Sequence, residues 1–300
     1  MNMNSPTSAQ TSEPKAVQFR NAFINIFLPI FGLIIAGFLG WQLYKLNDIT
    51  SSFGKGSSVS FKTEDEFNNA VAKAFNKIVE DKQKAMAQSK LQKFTAAPEF
   101  VPDGKHIYGS MDARYTLVEF SDLECPYCKR FHNTPKQLVD ASKGNVNWQW
   151  MHYPLDFHNP AAADQAIASE CISEQLGNRA FWAFLNDVFV QSRGNGQGVP
   201  NLAELATEIG ADSNKFLECV GSGKYQQKIQ EHMQKAAAQG IKATPATFVV
   251  DNHTGKMQLV AGAQPVQALM AAVSKLKAEA EEEAESQSGP GEQSNVQDKS

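Results

Sequence analysis

The alternation of apolar and polar positions divides the chain into stretches of very different character. Residues 1–20 are polar and rich in Ser, Thr, Asn and Gln, and residues 21–44 then run without a charge between Arg20 and Lys45. A bilayer core of about 30 Å takes roughly 20 apolar helical residues, and Trp41 and Tyr44 stand at one end, where aromatic side chains favour the interface. The pattern predicts a transmembrane anchor at residues 21–44. A cleaved signal peptide is the rival, but the small-residue spacing that precedes a cleavage point is not supplied by Gly37-Phe38-Leu39-Gly40-Trp41. Lys15 and Arg20 before the segment and Lys45 after it give charge only a slight bias toward a cytoplasmic N-terminus.

A Gly/Ser-rich linker at residues 50–60 leads to residues 62–94, which hold neither Pro nor Gly. Phe67, Val71, Phe75, Ile78 and Val79 recur there at helical spacing, and Thr63 with Glu66 forms a capping-box pattern at the start. This predicts an amphipathic stalk helix within residues 45–97. Its apolar face would lie on the following domain or on the membrane, or would pair with a second copy in a homodimer. The repeat fades after Met86, short of the several heptads that a coiled coil sustains. Pro98 and Pro102 close the section.

Beyond residue 98 the pattern becomes that of one α/β domain reaching to about residue 278. Thr116-Leu117-Val118-Glu119-Phe120 reads as a buried strand, followed by Ser121-Asp122-Leu123-Glu124-Cys125-Pro126-Tyr127-Cys128 and a helix through residue 143. A second strand is expected at residues 146–152, and helices at residues 161–176 and 212–221. A β-rich run follows, Lys242-Ala243-Thr244-Pro245-Ala246-Thr247-Phe248-Val249-Val250, then a partner strand at residues 257–261 and a final helix. Residues 279–300 are acidic, then Ser/Gln/Gly-rich, with no aromatic residue to bury, which predicts a disordered tail.

Composition narrows the functions. A net charge of -4, with scattered lysines, offers no basic field for nucleic acid. With 42% hydrophobic residues the domain can build an ordinary core, so the four cysteines are not needed merely to hold a very small fold together.

Two of those cysteines carry the chemistry. Pro126 suits the first turn of a helix, where its missing N–H costs nothing, and this puts Cys125 at the helix N-terminus. Free backbone N–H groups and the positive end of the helix dipole favour a thiolate there, and such thiols fall from about 8.5 to roughly 3.5–7. Cys125 is therefore the expected attacking sulfur and Cys128 the resolving one, with Pro126 and Tyr127 tuning how readily their disulfide is reduced. Glu124 is expected to oppose the thiolate. A structural zinc site is the alternative for Cys-x-x-Cys, but Cys171 and Cys219 stand alone and no second pair exists. No pair of histidines has metal-ligand spacing. His132, one turn after Cys128, reads as a packing or helix-surface residue rather than a proton carrier, and Trp148, Trp150, Phe181, Trp182, Phe184 and Phe189 read as core. Pro245 does not fit inside a central strand, so it belongs at the strand's beginning, where a cis bond is expected.

Taken in order from about His106 to Leu276, these features resemble the thioredoxin superfamily, specifically its DsbA-like branch with a helical insertion. Trp148-Gln149-Trp150-Met151-His152-Tyr153-Pro154-Leu155, Ala168-Ser169-Glu170-Cys171 and Phe181-Trp182 carry the same likeness. The resemblance implies an insertion at about residues 155–240, with Pro245 as the cis-proline against the active-site disulfide and Thr244 offering its backbone to a bound substrate. It also implies a structural disulfide between Cys171 and Cys219, which would stabilise the fold by roughly 4 kcal/mol on the loop-entropy model. Two independent buried thiols are the alternative. An oxidising compartment follows, with the chain in a bacterial inner membrane and the domain facing the periplasm or cell exterior.

The implied activity is thiol–disulfide exchange with protein or peptide substrates, with no cofactor beyond the Cys125–Cys128 pair, and disulfide formation is the expected direction. The membrane redox partner would then be DsbB-like. Pro-Tyr between the cysteines and Thr before the proline also resemble the isomerases DsbC and DsbG, which would call for a DsbD-like partner. A reading of another class is a non-catalytic, membrane-anchored chaperone or assembly scaffold.

Overall fold

A computed structural model describes residues 63–287 of the chain. The chain divides into two compact units, Met1–Ala72 and Lys73–Ser300. Of the first, the described part is the opening of helix α1 (Glu64–Gln92), where the Thr63 hydroxyl accepts the Glu66 N–H at 3.2 Å. Among the described residues no helix is long and apolar enough to cross a membrane. The predicted anchor at residues 21–44 lies outside them.

The second unit is built on a five-stranded sheet. Its strands are β1 (Ile107–Tyr108), β2 (Tyr115–Ser121), β3 (Val146–His152), β4 (Ala246–Asp251) and β5 (Met257–Ala261), in the order β1-β3-β2-β4-β5. β2 and β3 are parallel and the other pairs antiparallel. β2, central and covered on both faces, is buried at six of its seven positions, which is why it reads as a near-continuous apolar run. The chain leaves β2 into α2 (Pro126–Phe131) and α3 (Asn133–Ala141). One helix through residue 143 was expected. Its division at His132 fits Pro135, which cannot donate to the carbonyl of Phe131.

Between β3 and β4 lie five helices, α4 (Ala161–Leu176), α5 (Asn178–Gln191), α6 (Leu202–Ile209), α7 (Ser213–Ser222) and α8 (Gln226–Ala238). A disulfide joins Cys171 of α4 to Cys219 of α7, with Cα atoms 5.9 Å apart. The core runs from this helical layer to the sheet, and Trp148, Trp150, Phe181, Trp182, Phe184 and Phe189 are all buried in it. Each such side chain gains about 2–3 kcal/mol from leaving water.

The C-terminal end of α1 is packed on the helical layer. Ala87 and Phe94 are buried, and Lys90 pairs with Asp187 at 2.7 Å and Glu208 at 2.6 Å. Burial lowers the Lys90 pKa, but the two carboxylates outweigh it and hold it above its ordinary value. Phe75, Ile78 and Val79, further up the same helix, remain exposed. The acidic tail was expected to be disordered from residue 279, yet α9 (Val266–Gln287) carries helix through its first part. Ala and Glu are strong helix formers, and Lys275–Glu279, Lys277–Glu281 and Lys256–Glu283 set cations beside the acids. Residues 288–300 lie outside the described part.

Candidate active site

The site forms where β2 ends. Cys125 is the N-cap of α2 with extended φ/ψ, Pro126 holds the first helical position, and the Cys125 carbonyl accepts the Lys129 N–H at 3.0 Å. Cys125 and Cys128 are free thiols. The Cys125 thiol donates to the carbonyl oxygen of Thr244 at 3.6 Å, and the Thr244–Pro245 peptide bond is cis. Cys128 is fully buried, and its sulfur accepts the Asp122 N–H at 3.5 Å. The fold thus brings Cys125, Pro126, Tyr127, Cys128, Thr244 and Pro245 to one place. Cys171 and Cys219 are elsewhere, in the helical layer.

The two thiols are electrostatically unlike. A hydrogen bond from Cys128 lowers the Cys125 pKa most; burial opposes this, and the Thr244 side chain with the backbone N–H groups of Cys128 and Tyr127 lowers it further, to about 6. Burial pushes Cys128 the other way, well above the ordinary thiol range, and its neighbour Cys125 adds to the rise. At neutral pH the outer sulfur is a thiolate and the inner one holds its proton.

Glu124 anchors a neighbouring loop. Its buried carboxylate accepts from the Gln165 side chain at 2.7 Å, from the Ser192 hydroxyl, and from the Gly198 N–H at 2.9 Å. The carboxylate thereby ties the active-site turn to the loop at residues 192–198. The Glu124 carbonyl also accepts the Asn195 N–H at 2.8 Å. Gly194 has φ of +74°, and a Cβ there would stand 3.4 Å from that same carbonyl oxygen. A glycine suits both the conformation and the close approach.

Asp122 is a second anchor. One carboxylate oxygen accepts the Glu124 N–H at 2.7 Å, while the other takes the Leu155 N–H at 2.9 Å and faces His158 Nδ1 at 2.7 Å. The active-site turn is thus fixed to the segment after β3, where Asn159–Pro160 is also cis.

Sequence reasoning missed Glu119. It is wholly buried in the middle of β2, and no hydrogen bond among the described residues reaches either carboxylate oxygen. Burial raises its pKa to about 8, with Ser121 and Trp148 partly offsetting the rise, and Ser121 acts on Cys128 as well. An acid inside an otherwise apolar strand was the available signal. Also missed was a buried polar cluster around Glu170, which meets His106 at 2.9 Å, His152 at 3.1 Å and Lys228 at 2.6 Å. Burial alone would raise the Glu170 carboxyl, but His106 and then His152 hold it well below the usual range. His132 is packed against Trp148, Trp150 and Phe189, and burial lowers its pKa to about 3, so it stays neutral. Among the described residues no group of three or more His, Cys, Asp or Glu side chains is arranged to hold a metal ion.

Comparison with known proteins agrees with this architecture. A thioredoxin family model matches residues 101–275. The crystal structure of Pseudomonas aeruginosa DsbA2 is 34% identical with a TM-score of 0.53, and the match covers 59% of this chain and 96% of that one. The thiol-disulfide exchange protein alpha-DsbA2 from Wolbachia pipientis, 18% identical with a TM-score of 0.50, shares the fold, the match covering 65% of this chain and 98% of that one. Among curated relatives, Na(+)/H(+) antiporter NhaA 1 of Mycolicibacterium gilvum is 29% identical over 150 residues, which are 49% of this chain and 24% of that protein. The chain spans about a quarter of the length of the curated relatives it matches. A family match over more than half of the chain, with a relative covered almost end to end, shows that the protein belongs to the DsbA-like branch of the thioredoxin superfamily, a family of thiol–disulfide oxidoreductases.

Proposed function

We propose that the protein catalyses disulfide formation in extracytoplasmic proteins through Cys125 and Cys128. The observation that carries this reading is the asymmetry of the two thiols, one lowered to about 6 beside the Thr244 carbonyl and the other buried and held protonated. In the oxidised chain a substrate thiolate attacks Cys125 Sγ. The Cys125–Cys128 bond breaks and Cys128 leaves with the electron pair, taking up a proton in its buried position. A second substrate thiolate then attacks the substrate sulfur of the mixed disulfide, and Cys125 leaves as a stable thiolate. Two electrons pass from the substrate dithiol to the chain, and a DsbB-like, quinone-linked membrane oxidant would remove them. Residues 21–44 would hold the chain in a bacterial inner membrane with the domain facing the periplasm. The redox pair needs no further cofactor.

Isomerisation or reduction, with a DsbD-like donor, is the second reading. The exposed Phe75, Ile78 and Val79 favour it, since a homodimer formed through α1 would set two sites around one substrate. The direct test mixes the oxidised full-length chain with a reduced, unfolded protein and counts the thiols lost. Transfer of one disulfide per chain is expected, with none from Cys125→Ser. Thiol loss unchanged by Cys125→Ser would leave a chaperone or scaffold role in its place.

A further inference from the structure

The surface around Cys125 is cationic although the whole chain is acidic, with a net charge of -4. Five segments adjoin the active-site turn or the Thr244–Pro245 bond: α2, the turn Asp156–His158, where His158 faces Asp122, the loop at residues 192–198, the loop before Pro245, and the turn after β5, where the Gly262 N–H bonds the Pro245 carbonyl at 2.9 Å. Their exposed charged residues are Lys129, Arg130, Arg193 and Lys242 against Asp156 alone. The other two acids, Asp122 and Glu124, are buried and spent on internal hydrogen bonds.

Each cation is tied to the site. Lys129 follows Cys125 by one turn, and its ammonium is held by the carbonyls of Ser192 at 3.0 Å and Val190 at 3.4 Å. The Arg130 guanidinium lies over the Tyr127 ring, 4.6 Å from its centre. Arg193 precedes Gly194, where a Cβ would lie 3.8 Å from the Pro126 ring. Lys242 stands two positions before Thr244, whose carbonyl meets the thiol. Among the described residues none of the four makes an ion pair. Their charge is open to a partner.

We propose that this rim selects substrate segments that carry Asp or Glu beside the reacting cysteine. The inference rests on the oxidoreductase reading and adds the substrate class to it. Clustered charge of one sign raises the encounter rate of opposite charge, and the effect fades with salt because exposed charges are screened beyond about 8–10 Å. Arg193 and Lys242 are specificity-determining residues in this scheme, outside the Cys-Pro-Tyr-Cys turn itself.

The test uses the oxidised full-length chain in non-ionic detergent and three short peptides, each with one central cysteine flanked by Glu, Gln or Lys. The second-order rate of mixed-disulfide formation is divided by each peptide's rate with a small uncharged disulfide, which removes differences in intrinsic thiol reactivity. At low salt the Glu peptide is expected to lead the Lys peptide by about tenfold, narrowing toward parity near 0.5 M salt. In the Arg193→Gln/Lys242→Gln variant, the ratio should fall toward one. Equal corrected rates for all three peptides at low salt overturn the proposal while leaving the oxidoreductase reading intact. A preference that neither salt nor the double variant moves also overturns it. Reaction with none of the peptides overturns both.

Discussion

Cys125 and Thr244, 119 positions apart, meet through a 3.6 Å hydrogen bond from the thiol to the Thr244 carbonyl oxygen. The contact joins the end of β2 to the beginning of β4, neighbouring strands of the sheet. A carbonyl in that place accepts from a thiol and would equally accept from the backbone of a bound peptide, so the attacking sulfur and the proposed substrate dock share one surface.

The first consequence is a pH profile. Cys125 titrates at about 6 in the folded chain against an ordinary 9.0. Because the folded value is depressed, the thiolate's contribution to the stability of the reduced fold is complete above 9.0 and disappears as pH falls through about 6. Alkylation of the reduced chain by iodoacetamide should follow a single titration with its midpoint near 6, with Cys128 unreactive throughout. A midpoint above 8 would contradict the assignment of Cys125 as the activated thiol.

Glu119 makes the opposite prediction. Burial raises its carboxyl to about 8, whereas the unfolded chain releases that proton near 4.5. Between these values the folded form holds the extra proton, so stability falls as pH rises. Glu119→Gln should therefore leave stability nearly unchanged at pH 4.5 and raise it by up to about 3 kcal/mol at pH 7. Denaturant unfolding at the two pH values measures the difference. An equal effect at both would show that the group does not titrate in this window.

Glu124 tests the loop anchor. Replacing it by Ala strands the Gln165 amide, the Ser192 hydroxyl and the Gly198 N–H, and should cost about 3 kcal/mol. Hydrogen exchange should quicken most at Gly198, whose amide bonds the Glu124 carboxylate, and at Gly194, whose amide bonds the Ser192 hydroxyl that the carboxylate holds. Uniform change across the sheet, with those two amides no different, would show that Glu124 serves the core at large.

What could be read from the sequence was what neighbouring residues decide among themselves. The apolar run at Thr116 to Phe120, Pro126 after Cys125, and Pro245 before a β-rich run each carry their structural meaning locally. The Glu124 carboxylate could not be placed, because its partners lie 41, 68 and 74 positions away. Glu170 and its histidines posed the same problem across separations of 64 and 18. The first part of the tail, through Gln287, was misread because composition without aromatic residues signals no core. A solvent-exposed helix needs none when Lys–Glu pairs and Ala-rich turns support it.

The measurement closest to the central claim is the equilibrium reduction potential of the Cys125–Cys128 pair in the full-length chain, titrated against glutathione. Stabilising the Cys125 thiolate favours the reduced form and makes the disulfide oxidising, so a value between about -120 and -180 mV is expected. A value at or below about -230 mV would mean a pair kept reduced, and would contradict disulfide formation as the direction of catalysis.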